Sequence, residues 1–223
     1  MTGLVRKTIL LSAVGLMAAG AVWADVPNIT NSTTPIGINV VGFVNPPDPN
    51  GTFTYIIRDA LNNAIPNADV VIDFGQCTDI ALCTTNTETN PPGGTFTCFG
   101  KRWIGTADGL GQVSFTIVGT GNGTGAARAV AACATVTVNS ANFPALIVSA
   151  FDHDGTGGVA APDLAIWRGD FLAQQGVPPV YRARSDYDKG GTVGSPDLSL
   201  WRGVFLFRQV PGQGSQSSCG DCP

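Results

Sequence analysis

FDHDGTGGVAAPDLAIWRGDFLAQQ (Phe151 to Gln175) and SDYDKGGTVGSPDLSLWRGVFLFRQ (Ser185 to Gln209) decide the reading of the C-terminal third, because the second repeats the first at a period of 34 residues. Asp152 falls on Asp186, Asp154 on Asp188, Gly157 on Gly191, Val159 on Val193 and Asp163 on Asp197. Further on, Leu164, Trp167, Arg168, Gly169, Phe171 and Leu172 meet Leu198, Trp201, Arg202, Gly203, Phe205 and Leu206. Identities this dense, with the acids and glycines in fixed places, describe a duplicated unit of loop and helix.

With Asp152 or Asp186 as position 1, acids stand at 1, 3 and 12, a glycine at 6 and an apolar residue at 8, the spacing of a calcium loop of EF-hand type. A hard cation wants six to eight oxygens. Alternate residues of a tight loop turn carboxylates inward, glycine permits the bend, position 7 lends a carbonyl, and the acid at 12 closes the shell from the first helical turn. The candidate ligands are Asp152, Asp154, Thr156, Gly158 and Asp163 in the first loop, and Asp186, Asp188, Gly190, Thr192 and Asp197 in the second. Two Ca²⁺ sites are expected, each with three carboxylates and with backbone and water for the rest; a metal-free polar turn is the alternative. Position 12 is Asp where signalling loops use Glu, so affinity should be weak, on the order of 10⁻⁴ to 10⁻³ M as in extracellular modules. His153, at position 2, is expected to point outward into solvent, and with no second His a zinc site is not expected.

Each loop runs into one amphipathic helix, with Leu164, Trp167 and Phe171, and then Leu198, Trp201 and Phe205, recurring at i, i+3, i+7. Each helix offers a single stripe, and two such helices can pack face to face. Over residues 151–210, the order loop, helix, linker, loop, helix, with Asp at position 12, resembles the dockerin domains of cellulosomal and other secreted bacterial proteins. That resemblance implies calcium-dependent folding and docking onto a cohesin-like extracellular partner. Positions 10 and 11 are Ala161-Pro162 and Ser195-Pro196, where cohesin-recognising dockerins typically carry polar pairs.

Between residues 36 and 150 the period is two. IGINVVGF (Ile36 to Phe43) alternates, TFTYIIRD (Thr52 to Asp59) follows the turn PPDPNG, and ADVVIDF sets Val70, Ile72 and Phe74 on one face. KRWIGT leads to the turn Ala107-Asp108-Gly109, GQVSFTIVG presents Val113, Phe115 and Ile117 on one face, and ARAVAACATVTV and PALIVSA complete about seven strands. Short strands with frequent turns suit an antiparallel β-sandwich. IRDALNNAIPNADVVIDF (Ile57 to Phe74), with TADGLGQVSFTIVG (Thr106 to Gly119), resembles the bacterial Ig-like domains of invasin and related surface proteins, which implies a spacer or adhesive module.

At the N-terminus, Arg6 and Lys7 precede the apolar run Thr8 to Ala21, with a cleavage pattern at Val22-Trp23-Ala24, so residues 1–24 read as a secretory signal peptide. The run is short for a membrane span. Six cysteines in an exported chain point to disulfides. Fifteen pairings are possible; the first guess takes the short loops Cys77–Cys83 and Cys219–Cys222 and leaves Cys98 with Cys133. Redox chemistry at Cys-Gly-Asp-Cys is not expected in a Gly/Ser/Gln-rich tail.

Composition narrows the function classes. Charged residues are only 13%, with 12 Lys+Arg against 16 Asp+Glu and a net charge of -4, so no basic stripe invites nucleic acid. A single His and one Glu, Glu88, leave little for acid-base catalysis, so no catalytic residue is assigned. Arg168-Gly169-Asp170 spells an adhesion tripeptide but lies inside an expected helix, and the acceptor patterns at Asn28, Asn31, Asn50 and Asn122 arise freely in Thr- and Asn-rich loops.

The expected organisation is a leader (1–24), an N-terminal extension (25–35), an Ig-like β-sandwich (36–150), a dockerin-like module (151–210) and a Cys-containing flexible tail (211–223). The fold class is mainly β. The expected function is that of a secreted or cell-surface, non-enzymatic calcium-binding protein that docks to another extracellular protein. The alternative is a self-assembling fibre or surface-layer subunit whose segment Asp25 to Pro35 pairs with a sheet edge of the next copy.

Overall fold

A computed structural model describes residues 26–42, 48–83, 88–121, 131–156 and 158–207. The expected leader, the 211–223 tail with its Cys219–Cys222 pair, Asn122 and Gly157 lie outside the described residues.

The molecule is mainly β, with a curled six-stranded sheet and two helices. The strands are β1 (Gly37–Val40), β2 (Thr52–Ile56), β3 (Asp69–Asp73), β4 (Ile80–Leu82), β5 (Glu88–Asn90), β6 (Thr95–Thr97), β7 (Arg102–Thr106), β8 (Gln112–Thr116), β9 (Gly119–Gly121), β10 (Ala132–Val138) and β11 (Ala141–Ala150). Helices α1 (Ala161–Gln174) and α2 (Ser195–Phe207) follow. The large sheet runs β1-β11-β10-β3-β7-β6; β2-β8-β5 and β4-β9 form the two smaller sheets.

Alternation sets the buried faces of the longer strands. Val70, Ile72 and Phe74, and across from them Val113, Phe115 and Ile117, are fully buried in one core with Tyr55 and Ile57. Gly105 in β7 is required there, since a Cβ would lie 2.8 Å from the Phe115 ring. Two aspartates shape the turns. Asp59 Oδ1 accepts the Leu61 and Asn63 N–H groups, and Asp108 Oδ1 those of Leu110 and Gln112, the arrangement that makes Asp a turn former.

Three expectations need correction. Eleven strands stand among the described residues, because β4, β5, β6 and β9 are three residues long and too short to show a period. Pairing is not wholly antiparallel: β1 runs parallel to β11, with Ile38 opposite Val148 and Asn39 opposite Ser149. The disulfide is Cys77–Cys133, which rules out both Cys77–Cys83 and Cys98–Cys133; Cys83 and Cys98 are each disulfide-bonded as well. Proximity in sequence misled, because β3 and β10 are sheet neighbours and bring Cys77 and Cys133 together from 56 residues apart.

The extension before β1 pairs within its own chain. Thr33 bridges Ile56, Asn28 N donates to Arg58 O, and Asn31 Nδ2 donates to Asp59 O. Between β10 and β11 the register slips, and Pro144, which has no N–H to donate, sits at the slip.

Candidate metal centre

Both loops bring their acids together. One oxygen from each of Asp152, Asp154 and Asp163 lies within 4.8 Å of the others, and so it is for Asp186, Asp188 and Asp197. Within each loop the backbone is gathered onto the carboxylates. Asp152 accepts the Gly155 and Gly158 N–H groups at 2.7 and 2.8 Å, and Asp186 those of Gly190 and Gly191 at 3.1 and 2.9 Å. Asp163 Oδ1 accepts the His153 and Asp154 N–H groups while its Oδ2 accepts that of Ala160, so position 12 ties the loop entrance to the start of α1. Asp197 repeats this at α2 with Tyr187, Asp188 and Gly194. In the repeated Pro-Asp, proline takes the first helical turn and Asp brings charge to the positive end of the helix dipole.

The remaining candidates sit as follows. Thr156 is exposed and donates its N–H and hydroxyl to Asp154 Oδ1; Gly158 is buried with φ 109°; Gly190 donates its N–H to Asp188 Oδ1 at 2.7 Å; Thr192 is exposed. Gly191 at position 6 has the positive φ, 80°, that the bend requires. Position 4 is left-handed as well, as Gly155 (φ 69°) and Lys189 (φ 62°).

Burial sets the electrostatics. Asp152 and Asp163 are inaccessible, as are Asp186 and Asp197. Burial pushes Asp163 up to about 6, the negative charge of Asp152 adding to it against three N–H donors that pull the other way. Asp197 is also raised, first by burial. Lys189, beside the second triad, is pushed down to about 7 by burial although the charges of Asp186, Asp197 and Asp188 oppose the shift. Clustered buried carboxylates, with oxygen as their donor atom, are the chemistry a hard divalent cation neutralises. They fit Ca²⁺ in donor type.

His153 is not outward or solvated. It is 2% exposed, and its Nε2 lies 2.9 Å from the Tyr187 hydroxyl and 3.2 Å from that of Ser185, which in turn donates to Asp170. Tyr187 is the position 2 residue of the other loop, so the repeats meet through equivalent positions. Duplication was visible in the sequence, but not that position 2 faces the twin loop. The helical stripes also differ from expectation. Asp163, Trp167 and Asp170, and Asp197, Trp201 and Val204, are buried, whereas Leu164, Phe171 and Phe205 are only half-buried and Leu198 is 37% exposed.

The second apolar cluster joins both halves. Phe151, Val159, Trp167, Tyr187, Val193, Trp201 and Val204 pack with Val41, Cys83 and Val118 from the β half, and Phe151 stacks on Tyr187 at 4.2 Å. Trp167, Arg168 and Phe171 of α1, with Ser195 and Leu198 of α2, line a groove of about 460 Å³.

No family model, curated protein or solved structure matches this chain. No helix among the described residues is long and apolar enough to cross a membrane.

Proposed function

We propose that this is a secreted, non-enzymatic calcium-binding protein, an Ig-like β-sandwich followed by a dockerin-like pair of calcium loops, that docks to another extracellular protein through its helical face. The observation that carries the reading is the duplicated carboxylate triad: two sets of acids at the same loop positions, each gathered within 4.8 Å, with positions 1 and 12 buried and position 3 open toward solvent. Asp152, Asp154 and Asp163 would hold one Ca²⁺, and Asp186, Asp188 and Asp197 the other. The ion supplies positive charge to a cluster whose burial otherwise disfavours ionisation. Position 12 connects that ion to a helix start, so metal binding becomes helix stability.

The groove lined by Trp167, Arg168, Phe171, Ser195 and Leu198 is the surface offered to a cohesin-like or other extracellular partner. Self-assembly through the N-terminal segment has less support, since residues 28–33 already pair with β2 and its flank in the same chain. Calorimetric titration of the full chain tests the reading. Two calcium sites with Kd on the order of 10⁻⁴ to 10⁻³ M are expected. Absence of calcium heat, together with helical CD and Trp fluorescence indifferent to EGTA, would sink it.

A further inference from the structure

Two of the places where the repeats differ in charge bring a cation to the second copy close to its loop. Where the first copy has Ala150 and Gly155, the second has Arg184 and Lys189. Neither cation is needed by a metal loop, and both reach into the β half. Arg184 is 2% exposed, the largest of the fully buried side chains. Its Nε and Nη2 hold both oxygens of Asp79, at 2.9 and 2.7 Å, in a forked pair. Nη1 donates to the Val148 carbonyl of β11, and Nη2 lies 3.4 Å from Cys133 Sγ in β10. Asp79 is two residues beyond Cys77, so the disulfide fixes the place where the guanidinium lands.

Lys189 seals the other end. Its Nζ donates to Asn39 Oδ1 in β1, to Ser149 Oγ in β11 at 2.9 Å and to the Asp186 carbonyl at 2.8 Å. Asn39 Nδ2 returns a bond to Tyr187 O, and Ser149 Oγ lies 2.6 Å from both the Ala183 and Asp186 carbonyls. Gly37 leaves room, since a Cβ there would meet the Lys189 chain at 2.7 Å. Ile38 and Val40 face the core on the opposite side of β1, so these contacts lie on the outer face of the β1–β11 pair.

We propose that Arg184 and Lys189 are a latch that seats the second repeat on the outer face of β1 and β11. The face carrying the start of the second loop is thereby committed to its own chain and is not presented to an external partner. An arginine buried this deeply is tolerated only because a carboxylate and a carbonyl meet its donors. Removing it strands Asp79, whereas replacing both members by apolar residues restores a dry fit.

The test is amide exchange by mass spectrometry on the full chain in calcium buffer. Arg184→Met should speed exchange across 183–190 by at least about tenfold while β3 and β7 keep wild-type rates, because docking and the β core then open separately. Asp79→Leu with Arg184→Met should return 183–190 to near wild-type protection. Unchanged exchange in Arg184→Met, or an equal rise in β3 and β7, would overturn the latch. Should Arg184→Met not fold, Lys189→Met decides: faster exchange confined to 183–190 supports the proposal, and wild-type rates there refute it. Variant and wild type share one buffer, so a failure of the calcium reading would leave this comparison intact.

Discussion

Asp163 and Asp197 each do two jobs with one carboxylate, accepting three backbone N–H groups and contributing to a triad. Asp163→Ala or Asp197→Ala should therefore weaken calcium binding at least tenfold, about 1.4 kcal/mol, and disturb the neighbouring Trp167 or Trp201. Titration followed by Trp fluorescence measures both. His153→Ala belongs to a different class: it removes a buried partner of the Tyr187 and Ser185 hydroxyls and should cost about 1–3 kcal/mol in chemical denaturation while leaving two calcium sites. A loss of one calcium equivalent in that variant would show that position 2 belongs to the metal shell. Protonation gives an independent check. The folded pKa of Asp163 is raised from 3.8 to about 6, so the metal-free native state binds more protons than the unfolded chain between those values. Stability from this group is therefore gained as pH falls through 6 and is lost as pH rises. Melts in EGTA should be higher at pH 5 than at pH 7, and calcium should reverse the order, because it competes with the proton for the same carboxylate.

The element most exposed to test is the first loop. Gly155 has φ 69°, and a Cβ on it would stand 2.6 Å from the Gly121 carbonyl of β9. Lys189, at the same position, tolerates the left-handed backbone. Gly155→Ala should thus destabilise the fold by about 1–3 kcal/mol, through the clash with β9 as well as through backbone strain, and lower the melting temperature accordingly. The control is Lys189→Gly, which relieves backbone strain and removes the contact with Asn39. A Gly155→Ala melt matching wild type would mean that the loop does not rest on β9. At this scale the sequence was informative where a period existed. ADVVIDF and GQVSFTIVG placed their buried faces correctly, while three-residue strands such as β4 and β9 carry too few residues for alternation to register.

For the whole molecule, the shared apolar cluster and the Arg184–Asp79 pair couple the repeats to the β half. Deletion after Ala150 should leave a disulfide-linked β unit that keeps its strand CD signal but melts below the full chain, since Val41 and Val118 lose their cover. An unchanged melting temperature would show that the two parts are energetically independent. The sequence alone determined the duplication, the register of the acids in both loops, the helix starts at Pro162-Asp163 and Pro196-Asp197, and the alternating faces of the longer strands. All of these are local, fixed by spacing along a few turns of chain. Only the tertiary structure decided that Cys77 pairs with Cys133, that His153 meets Tyr187, that β1 lies parallel to β11, and that Arg184 is buried against Asp79. Those depend on which segments become neighbours across 34 to 110 residues, and no local period records that.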